Sequence, residues 1–257
     1  MGRWAWKGDK AKMIYEIAGL RIDIKNRLKY TDKFCEQYLS DDQESASDFS
    51  VAVTSEAFYE EKKQSPDYSD GYIENICLYR EICLKMPAYN RFLLHSCVLE
   101  FDGDAYAFLG RSGTGKSTHT GLWLKYLNGS EILNGDKPII GVEKDGIYAY
   151  GTPWMGKEGR GKKGKAPLKA LIFLEQAKTN EIIKLSVSQA SMRLFHQVLF
   201  PSDEENATRS LELFDELLQR VPTYLLKCDI SKTAVKTSFE QLTGLNFEQE
   251  KVKENED

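Results

Sequence analysis

The sequence predicts a mixed α/β fold whose sheet is mixed and largely antiparallel. Three observations carry that expectation. A glycine-rich octapeptide, Gly110-Arg111-Ser112-Gly113-Thr114-Gly115-Lys116-Ser117, stands between a buried-strand pattern at 105–109 and a helical pattern at 117–126. Hairpin signals recur around it, at Asp102-Gly103-Asp104 and at Lys144-Asp145-Gly146, with a further turn near Gly19. Amphipathic helical patterns at 188–200 and 207–221 alternate with strands in the C-terminal half, and the second carries Leu211, Phe214, Leu217, Leu218 and Val221 on one stripe. So many hairpins exclude the all-parallel, doubly wound sheet.

The elements follow in order. Residues 1–12 read as a loose leader. Residues 13–26 form a strand or hairpin, and 31–39 and 55–63 form short helices around a strand at 49–54, with 41–48 a polar loop. From Tyr72 the apolar positions Ile73, Ile76, Cys77, Ile82 and Cys83 keep an imperfect helical period that Pro87 ends. Residues 92–101 read as one strand, turned back on 105–109. A short apolar strand at 131–136 ends in an acid, and 139–142 pairs with 147–150. A glycine- and lysine-rich loop covers 151–166 and leads into a buried strand at 168–174. A strand at 223–228 and a helix at 232–242 precede a charged, frayed tail. The chain thus divides into an N-terminal α/β extension packed on the core (1–90), a core carrying the glycine-rich loop (91–248) and a charged tail (249–257).

Composition sets outer limits. At 257 residues, 41% of them apolar, the chain can bury one large core or two small ones. A net charge of −4 gives no bulk attraction to nucleic acid. No apolar run reaches the length of a membrane span, and the N-terminus lacks the apolar core of a signal peptide. Five cysteines without a C-x-x-C pair suggest neither a zinc site nor a disulfide framework, but reduced thiols in a cytoplasmic protein. Homo-oligomerisation is left open by the sequence.

The octapeptide matches G-x-x-x-x-G-K-[ST], the phosphate-binding loop. Its glycines let backbone N–H groups face inward, and the following helix adds the positive end of its dipole. Gly110, Ser112, Gly113, Thr114, Gly115 and Thr118 are therefore expected at a nucleotide. Lys116 is expected at its β- and γ-phosphates and Ser117 on Mg²⁺, so ATP and Mg²⁺ are the expected ligands. A second acid must help hold the metal. Asp136 ends an apolar strand about twenty residues on, although Asn134-Gly135-Asp136 is also turn chemistry. His95 lies in an apolar strand, where histidines are usually core residues, but hairpin pairing could place it near the phosphates. His119, in the first helical turn after Lys116, either contacts the nucleotide or packs, and His196 reads as structural. Five basic residues and four glycines share positions 156–165, a pattern of a mobile loop able to close over anions, with Lys157 and Arg160 at its start. The bland reading is a solvated face. Trp154, just before it, is expected to stack on a base or cover the site.

The segment from His95 through Asp102-Gly103-Asp104 to Gly110 resembles the stretch leading into the phosphate loop of bacterial HPr kinase/phosphorylases. Ser112 to Ser117 also resembles the loop of ATP-dependent phosphoenolpyruvate carboxykinases, which share that fold. Residues 132–136 and 167–175 resemble later strands of the family, and the resemblance covers roughly 92–228. It implies Mg²⁺-ATP and phosphorylation of a serine hydroxyl on a peptide or protein. It also implies that His95 and Asp136 act beside Lys116, with Asp136 as metal ligand or base. Where the family commonly has paired aspartates this chain has Asp136-Lys137, and Thr118 stands where a glutamate commonly follows the loop. With one acid there, little reverse, phosphorylase reaction is expected. The first ninety residues do not look like the regulatory domain of classical HPr kinases. The chain looks more like shorter relatives, some of which phosphorylate serine in ribosomally made peptides such as lasso-peptide precursors. The alternatives are a small-molecule or carboxykinase-like kinase of the same fold and a non-catalytic ATP sensor.

Overall fold

Residues 12–249 are described by the structure, a computed structural model; the expected leader up to residue 11 and the tail beyond 249 lie outside the described residues. Strand β1 (Ile14–Ile17) turns at Ala18-Gly19, both at positive φ, into β2 (Leu20–Lys25). Helix α1 (Lys29–Phe34) follows, and β3 (Phe49–Ala52) then pairs parallel with β2. Thr54 and Ser69 accept backbone N–H groups as side-chain caps for α2 (Ser55–Gln64) and α3 (Asp70–Lys85). The buried faces of α2 and α3 close one core over this three-stranded sheet, through Phe58, Ile73, Cys77 and Ile82.

The remaining strands form one nine-stranded sheet. They are β4 (Arg91–Leu93), β5 (Cys97–Phe101), β6 (Asp104–Leu109), β7 (Ser130–Asn134), β8 (Ile139–Val142), β9 (Ile147–Tyr150), β10 (Lys165–Gln176), β11 (Glu181–Lys184) and β12 (Thr223–Cys228). The order β4-β8-β9-β10-β6-β5-β7 has β12 added on β10 and β11 on β12. Only β10–β6 and β10–β12 are parallel, so the sheet is mixed and largely antiparallel. Helices cover both faces. Ala105, Ala107 and Leu109 of β6 face α5 (Val187–Leu194) and α6 (Glu204–Arg220), while Tyr106 and Phe108 face α4 (Lys116–Tyr126) and α7 (Lys232–Thr243). Burial on two sides explains why β6 is apolar without a break from Ala105 to Leu109.

Four local expectations are corrected. Residues 92–101 are two strands, because β4 pairs with β8 while β5 pairs with β6 and β7; His95 and Ser96 lie in the gap. The glycine- and lysine-rich loop stops at 164, and β10 begins at Lys165. The helix expected at 188–200 ends at Leu194 and tightens into a 3₁₀ turn, Phe195–Gln197. Leu211 is 51% exposed, and Leu213 takes its place in the buried stripe of α6.

Residues 12–90 and 91–249 share a core. Leu93, Ile139, Tyr150 and Trp154 pack with the apolar residues of α2 and α3. Trp154 is the largest of these contacts: its Nε1–H donates to Asn75 Oδ1 at 3.0 Å, and its ring meets Tyr79 at 4.8 Å between centroids and Phe34 at 6.5 Å. Trp154→Ala should therefore cost about 3–5 kcal/mol of stability, as large aromatic truncations in cores do. Urea midpoints of wild type and variant check it; a loss below 1 kcal/mol would mean the junction is not held there.

Candidate active site

The octapeptide opens where β6 ends at Leu109. Gly113 and Gly115 have φ of 84° and 101°, a left-handed backbone that side chains resist, and α4 starts at Lys116. The loop is closed on itself. Lys116 Nζ donates to the carbonyls of Gly110 at 2.7 Å and Arg111 at 3.4 Å, and Thr114 Oγ1 donates to Arg111 O at 2.9 Å. Burial lowers the Lys116 pKa, and the carboxylate of Asp136 opposes that fall. Ser117 and Thr118 are exposed on the first turn of α4.

Sheet topology brings the other groups to the same edge. β5 runs antiparallel to β6, so its start lies where β6 ends; β7 runs antiparallel to β5, so its end lies there too. His95 precedes β5 and Asp136 follows β7. Their side chains meet, with His95 Nε2 3.2 Å from Asp136 Oδ1. That hydrogen bond, more than any other influence, lowers the Asp136 pKa against the opposing effect of its partial burial. Backbone bonds fix both residues: Ser96 N–H donates to Asp136 O, and His95 N–H to Gln197 O.

A buried amide builds the turn that carries Asp136. Asn134 Oδ1 accepts the N–H groups of Asp136 and Lys137 at 3.0 and 2.7 Å. Its Nδ2 donates to Thr152 O and Oγ1, and Thr152 Oγ1 donates to Lys137 O. Asn134 and Thr152 are fully buried, so the network is closed and satisfied. Sequence reasoning missed both as supports, although Asn-Gly-Asp is the signature of such a side-chain turn. Lys137, where the resemblance would put a second aspartate, turns away; its Nζ sits 4.8 Å from the Tyr79 ring centroid.

The 151–164 loop is docked rather than free. Gly135 N–H donates to Arg160 O, Lys162 N–H to Leu133 O and Gly151 N–H to Gly164 O. A Cβ at Gly151 would lie 1.8 Å from Lys162 O, so only glycine lets the two strands of the loop touch. Lys162 is paired with Glu100 and Glu131, Lys163 with Glu16 and Lys165 with Glu143. This corrects the expectation of a mobile loop whose whole basic run closes over anions. Lys157 and Arg160 do line the cleft, together with Glu158, an acid the sequence reading passed over. Trp154 is corrected too: it is 6% exposed, with its ring spent on Tyr79 and Asn75, so it neither covers the cleft nor lines it.

The cleft holds about 490 Å³ between the loop, His95, Asp136 and the 156–160 turn. Among the described residues no cluster of three or more His, Cys, Asp or Glu side chains could hold a metal alone. The Ser117 hydroxyl and the Asp136 carboxylate share the cleft, and oxygen donors of this kind suit Mg²⁺ when phosphates supply further ligands.

His119 belongs to the core. It is 3% exposed, its Nε2 lies 3.0 Å from Ser238 Oγ, and Trp123 Nε1 approaches both groups. Burial pushes its pKa down to about 4, so the imidazole is neutral at pH 7. Unfolded, it would titrate at about 6.5. Its contribution to stability is therefore complete above that value and is lost as pH falls toward 4. His119→Gln should remove an acid-side loss on the order of 3 kcal/mol. Denaturant midpoints at pH 7 and pH 4.5 check it; equal pH slopes for variant and wild type would contradict the buried, neutral assignment.

No protein-family model matches the chain, and no curated protein matches it. Among solved structures, the HPr(Ser) kinase/phosphatase from Coxiella burnetii is similar over 59% of this chain and 93% of that one, at 12% identity and a TM-score of 0.31. A score this low leaves the functional reading to the geometry of the chain itself.

Proposed function

We propose that the protein is an ATP-dependent kinase that transfers the γ-phosphoryl group to a hydroxyl, that of a serine in a peptide or protein. The observation that carries this reading is the His95–Asp136 pair at 3.2 Å, facing the same cleft as Lys116 and Ser117. A phosphate loop alone binds nucleotide. A loop opposite a fixed, ionised carboxylate also has a group for the acceptor hydroxyl.

In the reaction the acceptor oxygen bonds to the γ-phosphorus and the bond from that phosphorus to the β–γ bridging oxygen breaks. ADP leaves, and the hydroxyl proton passes to the His95–Asp136 pair. Lys116 exchanges its loop carbonyls for β- and γ-phosphate oxygens, and the loop N–H groups take the rest of the charge. Magnesium, held by Ser117, Asp136 and phosphate oxygens, would neutralise charge on the phosphates. Lys157 and Arg160, at the outer rim, suit an anionic group or an acidic acceptor segment. The resemblance of residues 92–228 to HPr kinases supports the choice of serine, and Lys137 beside a lone aspartate supports forward transfer with little phosphorolysis.

Lys116→Ala should abolish transfer and weaken ATP binding at least about tenfold while the circular dichroism spectrum is kept. Asp136→Asn should keep nucleotide binding but lose about 10²–10⁴ in turnover, the span general-base catalysis covers. Radiolabelled ATP, offered to a serine-containing peptide library and to a lysate, reads both variants. Label passing only to free metabolites would replace the peptide kinase with a small-molecule kinase, and undiminished ATP affinity in folded Lys116→Ala would remove the phosphate-loop assignment.

A further inference from the structure

A second cavity, of about 470 Å³, lies on the other flank of the phosphate loop. The topology explains why. β6 is central, with β5 and β7 on one side and β10 and β12 on the other. β10 and β12 are parallel to β6 or to each other, so their C-terminal ends reach the edge where the loop begins. They deliver Gln176 and Asp229 as β5 and β7 deliver His95 and Asp136. Gly113, Gly115 and Thr118 line both cavities, so the loop itself is the wall between them.

The two cavities differ in chemistry. The first holds Lys116, Lys157, Arg160 and the His95–Asp136 pair. In the second, Leu122, Leu174, Ala177 and Ile230 form the walls, and the neutral His119 ring borders them. Its lining includes no lysine or arginine, and its one acid is Asp229. Asp229 Oδ1 is held by Asn180 Nδ2 and Ser231 Oγ, which leaves Oδ2 for a hydroxyl group. Ile230 stands 75% exposed at the mouth, an apolar side chain that a ligand would cover. Gln176 Nε2 donates to Gly113 O at 3.2 Å and so ties this wall to the loop.

We propose that this second cavity seats the nucleoside of the triphosphate whose phosphates lie on the loop. The inference rests on the kinase reading above and adds the base and ribose subsite to it. A γ-phosphate directed at Asp136 leaves the α-phosphate and nucleoside to exit on the opposite flank. An uncharged, flat ring with a hydroxylated sugar fits a cavity of apolar walls, one carboxylate and no cation, whereas further phosphates do not. The volume falls within the range of ordinary small-molecule sites. Ile230 and Leu122 contact the base, and Asp229 accepts from a ribose hydroxyl.

The test separates nucleoside from phosphate. Calorimetry on the full chain measures a magnesium complex of a non-hydrolysable ATP analogue and magnesium tripolyphosphate, which has the phosphates but no nucleoside. Ile230→Asp, at an exposed position, and Ala177→Trp, which fills the cavity, should each weaken the ATP analogue about tenfold or more. Both should leave tripolyphosphate within about twofold and raise KM for ATP with kcat kept. Equal losses for both ligands would mean that the variants act through the loop, and no loss for either would mean that the cavity is not used. Either result overturns the proposal. Wild type binding neither ligand would instead remove the phosphate-loop reading on which it stands.

Discussion

Residues 165–167 of β10 pair with β9, 168–173 with β6, and 171–176 with β12, so one twelve-residue strand joins the hairpin half of the sheet to the half carrying the glycine-rich loop. Leu171 and Phe173 enter the core under α5 and α6, and Ala170, Ile172 and Leu174 enter the core under α4 and α7. Burial at about 25 cal/mol per Å² on two faces makes such a strand the member whose loss no neighbour can replace. Its position also sets the site. With β10 beside β6, the loop emerges between two pairs of strands, and each pair ends at it.

Preorganisation is the theme of the charged side. The carboxylate of Asp136 is ionised and aimed by His95. The turn beneath it is held by a buried amide rather than by solvent, and Lys116 is already drawn into the loop by two carbonyls. Groups fixed in this way need little reorganisation when charge shifts, which is where phosphoryl-transfer catalysts gain most. The Lys116 ammonium and the Asp136 carboxylate also favour each other's charged forms, against the burial that disfavours both.

Much of this was legible in the sequence, and the parts that were not share a physical cause. The loop was legible because each of its fixed positions has a local mechanical reason, and the hairpins at Asp102-Gly103 and Asp145-Gly146 because turns are local. The break at His95 was not, since it arises from β4 and β5 choosing different neighbours, one of them about fifty residues away in sequence. Trp154 read as a site residue because its partners, Asn75 and Tyr79, lie far back in the chain. His119 follows the loop in sequence, yet the helix turns its ring toward Ser238, more than a hundred residues on. The glycines of 156–165 read as mobility, whereas Gly151 at the base of that loop, like Gly135 beneath it, provides close approach of backbones. Composition reports that glycine is present, not whether its missing side chain is used for motion or for contact.

That last distinction bears on which positions of the 151–164 loop can carry a side chain. The base of the 151–164 loop admits no side chain at 151, where Lys162 O stands in the way, and Gly156 at φ 75° leaves no room beside the Asp136 side chain. The tip has space, since a Cβ at Gly159 meets nothing within 4 Å, but Gly159 itself stands at φ 61°, where a side chain is strained whatever the room. Side chains are therefore accommodated at residues 157 and 158, which line the cleft, while 151 and 156 require glycine. A loop with a frozen base and a variable tip lets the charge over the cleft change without disturbing the Asp136 turn beneath it.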